Sequence, residues 1–225
     1  MGVTENVIPA ASVVLIRESG SGFEVLLLRR SSDASYLGGA WVFPGGCVEE
    51  TDHGSECGLD SIGVAFHAAI RETEEECGVI LSTERLTPMS LWVTPQGFPK
   101  RFSTYFFLAV DTGSPVQVDG REIDHFMWMT PSDALMAQRV GEMFFAPPNY
   151  ITLIHLAAHK NVQSVVDHYT RASLIGYRPR LESSSGGMCS LYEEDEDYDK
   201  NIDRNKGIRH RLWMKEAGWV YERNF

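Results

Sequence analysis

Basic residues are the scarce class in this sequence. Its 225 residues carry 20 Lys and Arg against 31 Asp and Glu, for a formal net charge of −11. That balance excludes a surface built for sequence-indifferent nucleic-acid binding, which needs clustered cations against phosphates. Cysteine is also scarce. The four present, Cys47, Cys57, Cys77 and Cys189, show no C-x-x-C spacing. A zinc module is therefore not expected, and reduced thiols in a cytoplasm fit best. No apolar run approaches the ~18 residues of a membrane-crossing helix. Glu5 stands early, and no basic stretch precedes an apolar one, so neither a membrane partner nor a cleaved leader is expected. Met1-Gly2 lacks the Ser or Thr at position 6 of a myristoylation signal. The C-terminal Arg-Asn-Phe is not the peroxisomal address.

What is present suffices for one sizeable domain with an appendage, since 43% of the residues are hydrophobic. Ser12–Ile16 and Phe23–Leu28 are β-rich runs joined by a Gly-Ser turn, a hairpin signal. Trp41–Phe43 reads as a short strand that ends at Pro44. Residues 62–77 have the period of an amphipathic helix, with Gly78 as its stop. Leu86–Val93, Phe102–Val110 and Phe126–Met129 read as strands. Thr130-Pro131 is a helix start, with Thr as N-cap and Pro at the first helical position. That helix is expected to reach about Val140. Pro147-Pro-Asn149 then reads as punctuation before a last core helix from Tyr150 to about Lys160. This order predicts an α+β fold, a mixed sheet between helices. Residues 1–170 are expected to form the domain and 171–225 a C-terminal extension. The extension holds an acidic run, Glu193–Asp199, which composition reads as solvated. It ends in an aromatic tail with Trp213, Trp219 and Tyr221, packed back on the domain or on a second copy in a homodimer.

The chemistry is concentrated in Phe43-Pro-Gly-Gly46 and Arg71-Glu-Thr-Glu-Glu-Glu-Cys-Gly78. On a helix, Glu72, Glu75 and Glu76 fall within an arc of roughly 100°, while Phe66, Ile70, Thr73 and Cys77 take the other side. At ~6 Å and an effective dielectric of ~20, each carboxylate pair repels by roughly 3 kcal/mol. A chain that gathers three is either solvating them or holding a hard cation, and Mg2+ takes oxygen ligands and bridges to phosphates. The double glycine lets backbone come close to a metal or a phosphate. Glu74 points off the cluster. His155 and His159, four apart on a predicted helix, lack a third ligand and read as structural.

These two stretches resemble the Nudix box, G-x5-E-x7-R-E-U-x-E-E-x-G-U, where U is aliphatic. Counting from Gly46, Asp52 stands where that family has Glu, and Arg71, Glu72, Glu75, Glu76, Gly78 and Val79 match. Thr73 replaces an aliphatic residue. The spacer between Asp52 and Arg71 is 18 residues (53–70) instead of seven, so an insert from His53 to about Ser61 is expected to loop out. The resemblance implies an α/β/α sandwich. It implies a Mg2+- or Mn2+-dependent diphosphatase whose metal is held by Glu72, Glu75, Glu76 and the Gly45 carbonyl, with Arg71 orienting the carboxylates. A general base is required, Glu72 being the first candidate and Glu122 the second.

A second resemblance covers Leu26-Leu-Leu-Arg-Arg-Ser31 to Phe43-Pro-Gly-Gly46. It is similar to the coenzyme A diphosphatase signature L-L-T-x-R-S-x3-R-x3-G-x3-F-P-G-G, with Leu28 in place of Thr and Ser35 in place of Arg. Together with the long spacer, this looks most like the peroxisomal-type branch with an interrupted box. It implies a small nucleotide-type substrate, coenzyme A or an acyl-CoA. Arg30 and Gly46 are the implied substrate contacts, while Lys100 and Arg101, after the Gly97-Phe98-Pro99 turn, read either as a surface pair or as a phosphate contact. ADP-ribose, nucleotide sugars and nucleoside triphosphates are alternative substrates. A ligand-sensing module without catalysis is the alternative of another class.

Overall fold

The structure is a computed structural model and describes residues 7–20, 22–34, 36–53, 62–184, 186–199 and 207–225. Apart from His53, the expected insert lies outside the described residues.

β1 (Val7–Ser19) and β2 (Gly22–Arg30) form the expected hairpin, paired from Ile16↔Val25 to Ser19↔Gly22. β3 (Trp41–Val42) adds to β2, and β4 (Gly45–Cys47) pairs with the N-terminal half of β1, from Ala10↔Cys47 to Ser12↔Gly45. One edge of β1 is thus shared by two partners. At the fork Pro44 accepts hydrogen bonds through its carbonyl from Val13 N–H at 2.8 Å and Ser12 Oγ at 3.0 Å. This fork sets the double glycine beside the helix that follows.

That helix, α1 (Ile62–Cys77), buries Ala65, Ala68, Ala69, Thr73 and Cys77. Its small residues let it lie close on the sheet, where Phe66 stacks on Phe107 with ring centroids 4.5 Å apart. Gly78 ends it at φ 72°, donating from its N–H to the Glu74 carbonyl at 2.8 Å. β5 (Thr87–Val93), β6 (Arg101–Val110) and β7 (Ile123–Met129) complete most of the sheet. β6 runs parallel to β1 from Val7↔Arg101 to Ile16↔Val110. Both faces of β1 are covered. Val13 and Leu15 meet the layer under α1, and Val14 and Ile16 meet the opposite layer. A strand buried on both faces reads as a continuous apolar run, as this one does.

α2 (Pro131–Arg139) starts as its sequence predicts, with Thr130 Oγ1 accepting from Asp133 N–H at 3.1 Å. α3 (Pro147–Ala157) opens at Pro147, three residues before the expected start. The two prolines are its first turn, where a missing N–H costs nothing, and not punctuation ahead of it. α3 is also not the last helix. α4 (Val162–Arg171) follows, capped by Asn161, whose side chain accepts from Ser164 N–H at 2.9 Å.

β8 (Ile175–Tyr177) then joins β5 in parallel, so the first strand after residue 170 belongs to the main sheet. The sheet order is β3-β2-β1-β6-β5-β8, with β4 on β1 and β7 on β2. β9 (Arg180–Ser184), β10 (Gly187–Leu191), β11 (His210–Lys215) and β12 (Gly218–Arg223) form a second, antiparallel sheet in the order 12-11-10-9. It packs back on α3 and α4. Tyr192 and Leu212 enter the core, and Tyr150 donates from its hydroxyl to the Trp219 carbonyl at 3.2 Å.

The acidic run is not a solvated face throughout. Asp195 is fully buried and bound by both Nε and Nη2 of Arg211, while His210 N–H donates to it at 2.8 Å. Arg211 supplies the countercharge that the run itself does not reveal.

Candidate active site

The β4 fork and the last turns of α1 meet at the double glycine. Gly45 N–H donates to Glu76 Oε2 at 2.9 Å. A Cβ on Gly46 would stand 2.4 Å from Glu72 Oε1, and one on Gly45 would stand 2.2 Å from the Ala11 carbonyl oxygen. A side chain at Gly46 would push the Glu72 carboxylate away, and one at Gly45 would drive β4 off the backbone of β1. Glu76 is almost wholly buried, Glu72 keeps 16% of its side chain exposed and Glu75 keeps 59%. Glu74 is exposed and apart.

Arg71 binds this cluster together. Its Nε and Nη2 grip the two oxygens of Asp52 at 3.0 and 2.9 Å. Its Nη1 donates to Glu72 and to Glu75 at 3.0 Å each, and Nη2 also reaches the Cys47 carbonyl at 2.9 Å. Asp52 is buried and takes a further bond from Glu49 N–H at 2.8 Å. Burial pushes its carboxyl pKa up, but the Arg71 and Glu49 hydrogen bonds outweigh that and hold it below its ordinary value. The alignment of Asp52 across the long spacer therefore ends on the arginine of the motif.

A model of the NUDIX domain matches residues 7–146 of this chain. The chain belongs to the Nudix family. Among relatives, the acyl-coenzyme A diphosphatase NUDT19 of Gallus gallus is 25% identical over an alignment of 308 positions, covering 89% of this chain and 81% of that protein. A nudix hydrolase 7 of Caenorhabditis elegans is 25% identical over 196 positions and 71% of this chain, which spans 63% of the worm protein's length. The crystal structure of a NUDIX hydrolase from Alicyclobacillus acidocaldarius superposes with a TM-score of 0.63 at 24% identity. It covers 73% of this chain and 97% of that one, a likeness of fold.

The other residues singled out from the sequence are engaged in different ways. Arg30 donates from Nε to the Tyr36 carbonyl at 3.1 Å and pairs loosely with Glu122 at 3.7 Å. The Glu122 carboxylate is 68% exposed, yet its charge is felt at both Glu72 and Glu76. Lys100 is exposed at the rim, near enough to act on Cys47. Arg101 directs its Nε to the Thr94 and Pro95 carbonyls at 3.0 and 3.1 Å, which braces the loop before β6. His67 was not anticipated. Its Nδ1 lies 2.9 Å from the Asp52 carbonyl oxygen. Its place four residues before Arg71, on the same helix face, was the available signal.

Among the described residues, no three acidic, histidine or cysteine side chains converge as a ready metal cage. Arg71 holds Glu72 and Glu75 in its place. The donor set nonetheless suits a hard divalent cation, because it is all oxygen and carries more negative charge than Arg71 neutralises. Burial pushes the Glu72 carboxyl up against the pull of Arg71, and the charges of Glu75 and Glu122 add to the rise. Glu76 is pushed further, to about 8, first by burial and then by Glu72 and Glu122, against the Gly45 amide and the Arg30 charge.

Glu76 holds its proton more tightly folded than unfolded, where its pKa is 4.5. Its contribution is full below pH 4.5 and is lost as pH rises through about 8. Melting of metal-free protein in chelator is expected to fall across that window in the wild type relative to Glu76→Gln. Excess Mg2+ is expected to close the gap. Parallel pH profiles for the two proteins in chelator would show that burial of Glu76 carries no penalty.

Proposed function

We propose that the chain is a divalent-metal-dependent diphosphatase that cuts a nucleoside diphosphate linked to another moiety, with coenzyme A or an acyl-CoA as substrate. The observation that carries the reading is Glu76, a carboxylate buried against the Gly45 amide with no cation of its own. Glu72, Glu75, Glu76 and the Gly45 carbonyl are the residues that would hold Mg2+ or Mn2+. When bound, such a metal polarises the diphosphate and lowers the pKa of an attacking water. Arg71 keeps Glu72 and Glu75 oriented through its pairs, and Asp52 anchors Arg71. Glu72 is the first candidate to accept the proton of the water, and Glu122 the second. Water adds at phosphorus and the anhydride P–O bond breaks, leaving two phosphate monoesters. From coenzyme A these are a phosphopantetheine product and adenosine 3',5'-bisphosphate.

The substrate reading rests on the Arg30-Ser31 to Gly46 signature and on relatives described as acyl-coenzyme A diphosphatases. At a net charge of −11, an anionic substrate depends on local cations. Arg30, Lys100 and Arg101 are those candidates, with Gly46 giving the diphosphate room. Coenzyme A carries a 3'-phosphate that dephospho-coenzyme A lacks, and a charge-assisted contact to it is worth roughly 1.5–3 kcal/mol. Coenzyme A should therefore be preferred by at least about tenfold in kcat/KM. Arg30→Ala should erode that preference or the overall rate.

The test is a hydrolysis screen with Mg2+ and with Mn2+, with products identified by mass. It should include coenzyme A, an acyl-CoA, dephospho-coenzyme A, ADP-ribose, a nucleotide sugar and a nucleoside triphosphate. Faster cleavage of ADP-ribose or a nucleotide sugar would overturn the substrate. Tight binding with no turnover of any would favour the sensing module over the enzyme.

A further inference from the structure

On the face of the main sheet opposite α1 lies a cavity of about 290 Å3 that shares no residue with the Nudix carboxylates. It sits where α3, α4, β5, β8 and β12 come together. Its floor is apolar and deep. Met89 and Ile151 are buried there, beside Trp92 and Tyr177, whose rings stack 3.8 Å apart and only 2° from parallel. Its mouth is polar and open, formed by the exposed Ser173, His168 and Arg223.

The lining of that mouth is cationic, and Glu194, whose charge reaches Tyr177 as that of Arg223 does, is engaged by the His210 ring at 2.6 Å. No carboxylate lines the cavity. Among the described residues Arg223 has no acidic partner, and its guanidinium lies 4.9 Å over the Phe225 ring. His155, farther in, adds no charge. Burial first, and then the Arg223 cation, bring its pKa down to about 4, so at neutral pH it offers hydrogen bonding alone. In a chain so rich in acid, an unpaired cation over an apolar floor is out of character. The volume is at the small end for ligand pockets, and one arginine balances one negative charge. A dianionic phosphate would call for a second cation.

We propose that this cavity is a second ligand site, for a small organic carboxylate with an apolar body, its carboxylate on Arg223 and its body against the Trp92–Tyr177 floor. The site does not depend on the diphosphatase reading, since none of its residues belongs to that machinery.

The full chain, with its methionine and isoleucine methyls labelled, is titrated with octanoate and with octanol and followed by NMR. Octanoate is expected to bind saturably, to move the Met89, Ile151 and Ile175 methyls, and to bind at least about tenfold more tightly than octanol. Arg223→Ala, an exposed position where folding is not at stake, should bring octanoate to the level of octanol. ADP with Mg2+, a probe for the Nudix site, should leave octanoate binding unchanged. Equal affinity for octanoate and octanol in the wild type would overturn the proposal. So would an unaltered preference in Arg223→Ala, displacement by ADP with Mg2+, or failure to saturate by about tenfold above the affinity of typical weak metabolite sites near 1 mM.

Discussion

Glu76→Gln should lower kcat/KM by about 2–4 kcal/mol of transition-state stabilisation, roughly 30- to 1000-fold, on the scale of losing one electrostatic catalytic group. The fold should not suffer with it. Glu76 is almost wholly buried with one backbone donor, the Gly45 N–H, and glutamine can accept the same bond. Removing the charge also removes its repulsion with Glu72 and Glu122, both of which raise its pKa. Thermal stability without metal should therefore hold or rise, while stabilisation by added Mg2+ should shrink. Full activity in Glu76→Gln at saturating Mg2+ would remove this residue from the metal site. A collapse in melting temperature would instead make it a structural acid.

A second large effect is expected far from that site, at Asp195. Asp195→Ala strips the buried Arg211 of its main counterion, leaving only the half-exposed Asp197 at 2.8 Å. Breaking a buried pair from one side costs about 3–5 kcal/mol, because the remaining charge is stranded. The His210 N–H and the Asp197 N–H lose acceptors in the same substitution. Urea denaturation should show a loss of unfolding free energy of that size. A shift under about 1 kcal/mol would mean that the acidic run is the solvated stretch its composition suggests.

These two residues mark the boundary of what the sequence discloses. The proposed catalytic set is partly local. Arg71, Glu72, Glu75 and Glu76 are grouped by one helix and are legible before any tertiary contact is known, while Gly45 and Gly46, on β4, are joined to them through the family resemblance alone. The strands β1, β2, β3, β5, β6 and β7 and the caps at Thr130 and Gly78 are legible for the same reason, since each is a short-range rule, whereas β4 and β8 to β12 are not read from the sequence. Asp195 and Arg211 are 16 residues apart and meet only because β10 and β11 pair. Nothing in the run of acids marks which one will be taken inside. α4 is readable in full, with a cap at Asn161 and apolar Val162, Val165, Val166 and Tyr169 at i, i+3, i+4 and i+7, yet it is not among the helices expected from the sequence. The prolines opening α3 were ambiguous by nature, because proline both ends helices and begins them. Arg101 shows the same limit from the other side. Its position suggests a phosphate contact, while its Nε is engaged by the carbonyls of its own loop.

The second sheet bears on the order in which the molecule can be made. Tyr177, Tyr192 and Leu212 are interior residues of the core that α3 and α4 cover. β12 closes over that core, placing Trp219 on Tyr150 with centroids 5.2 Å apart. A nascent chain emerging from the ribosome can assemble the layer of α1 on β1, β4 and β6 before β11 and β12 have been made. The opposite layer stays open, with Trp92 and Phe106 lacking part of their cover, until β11 and β12 are free. The interval between those events is when this protein is most exposed to aggregation and to chaperones, and any stop codon upstream of β11 makes that interval permanent.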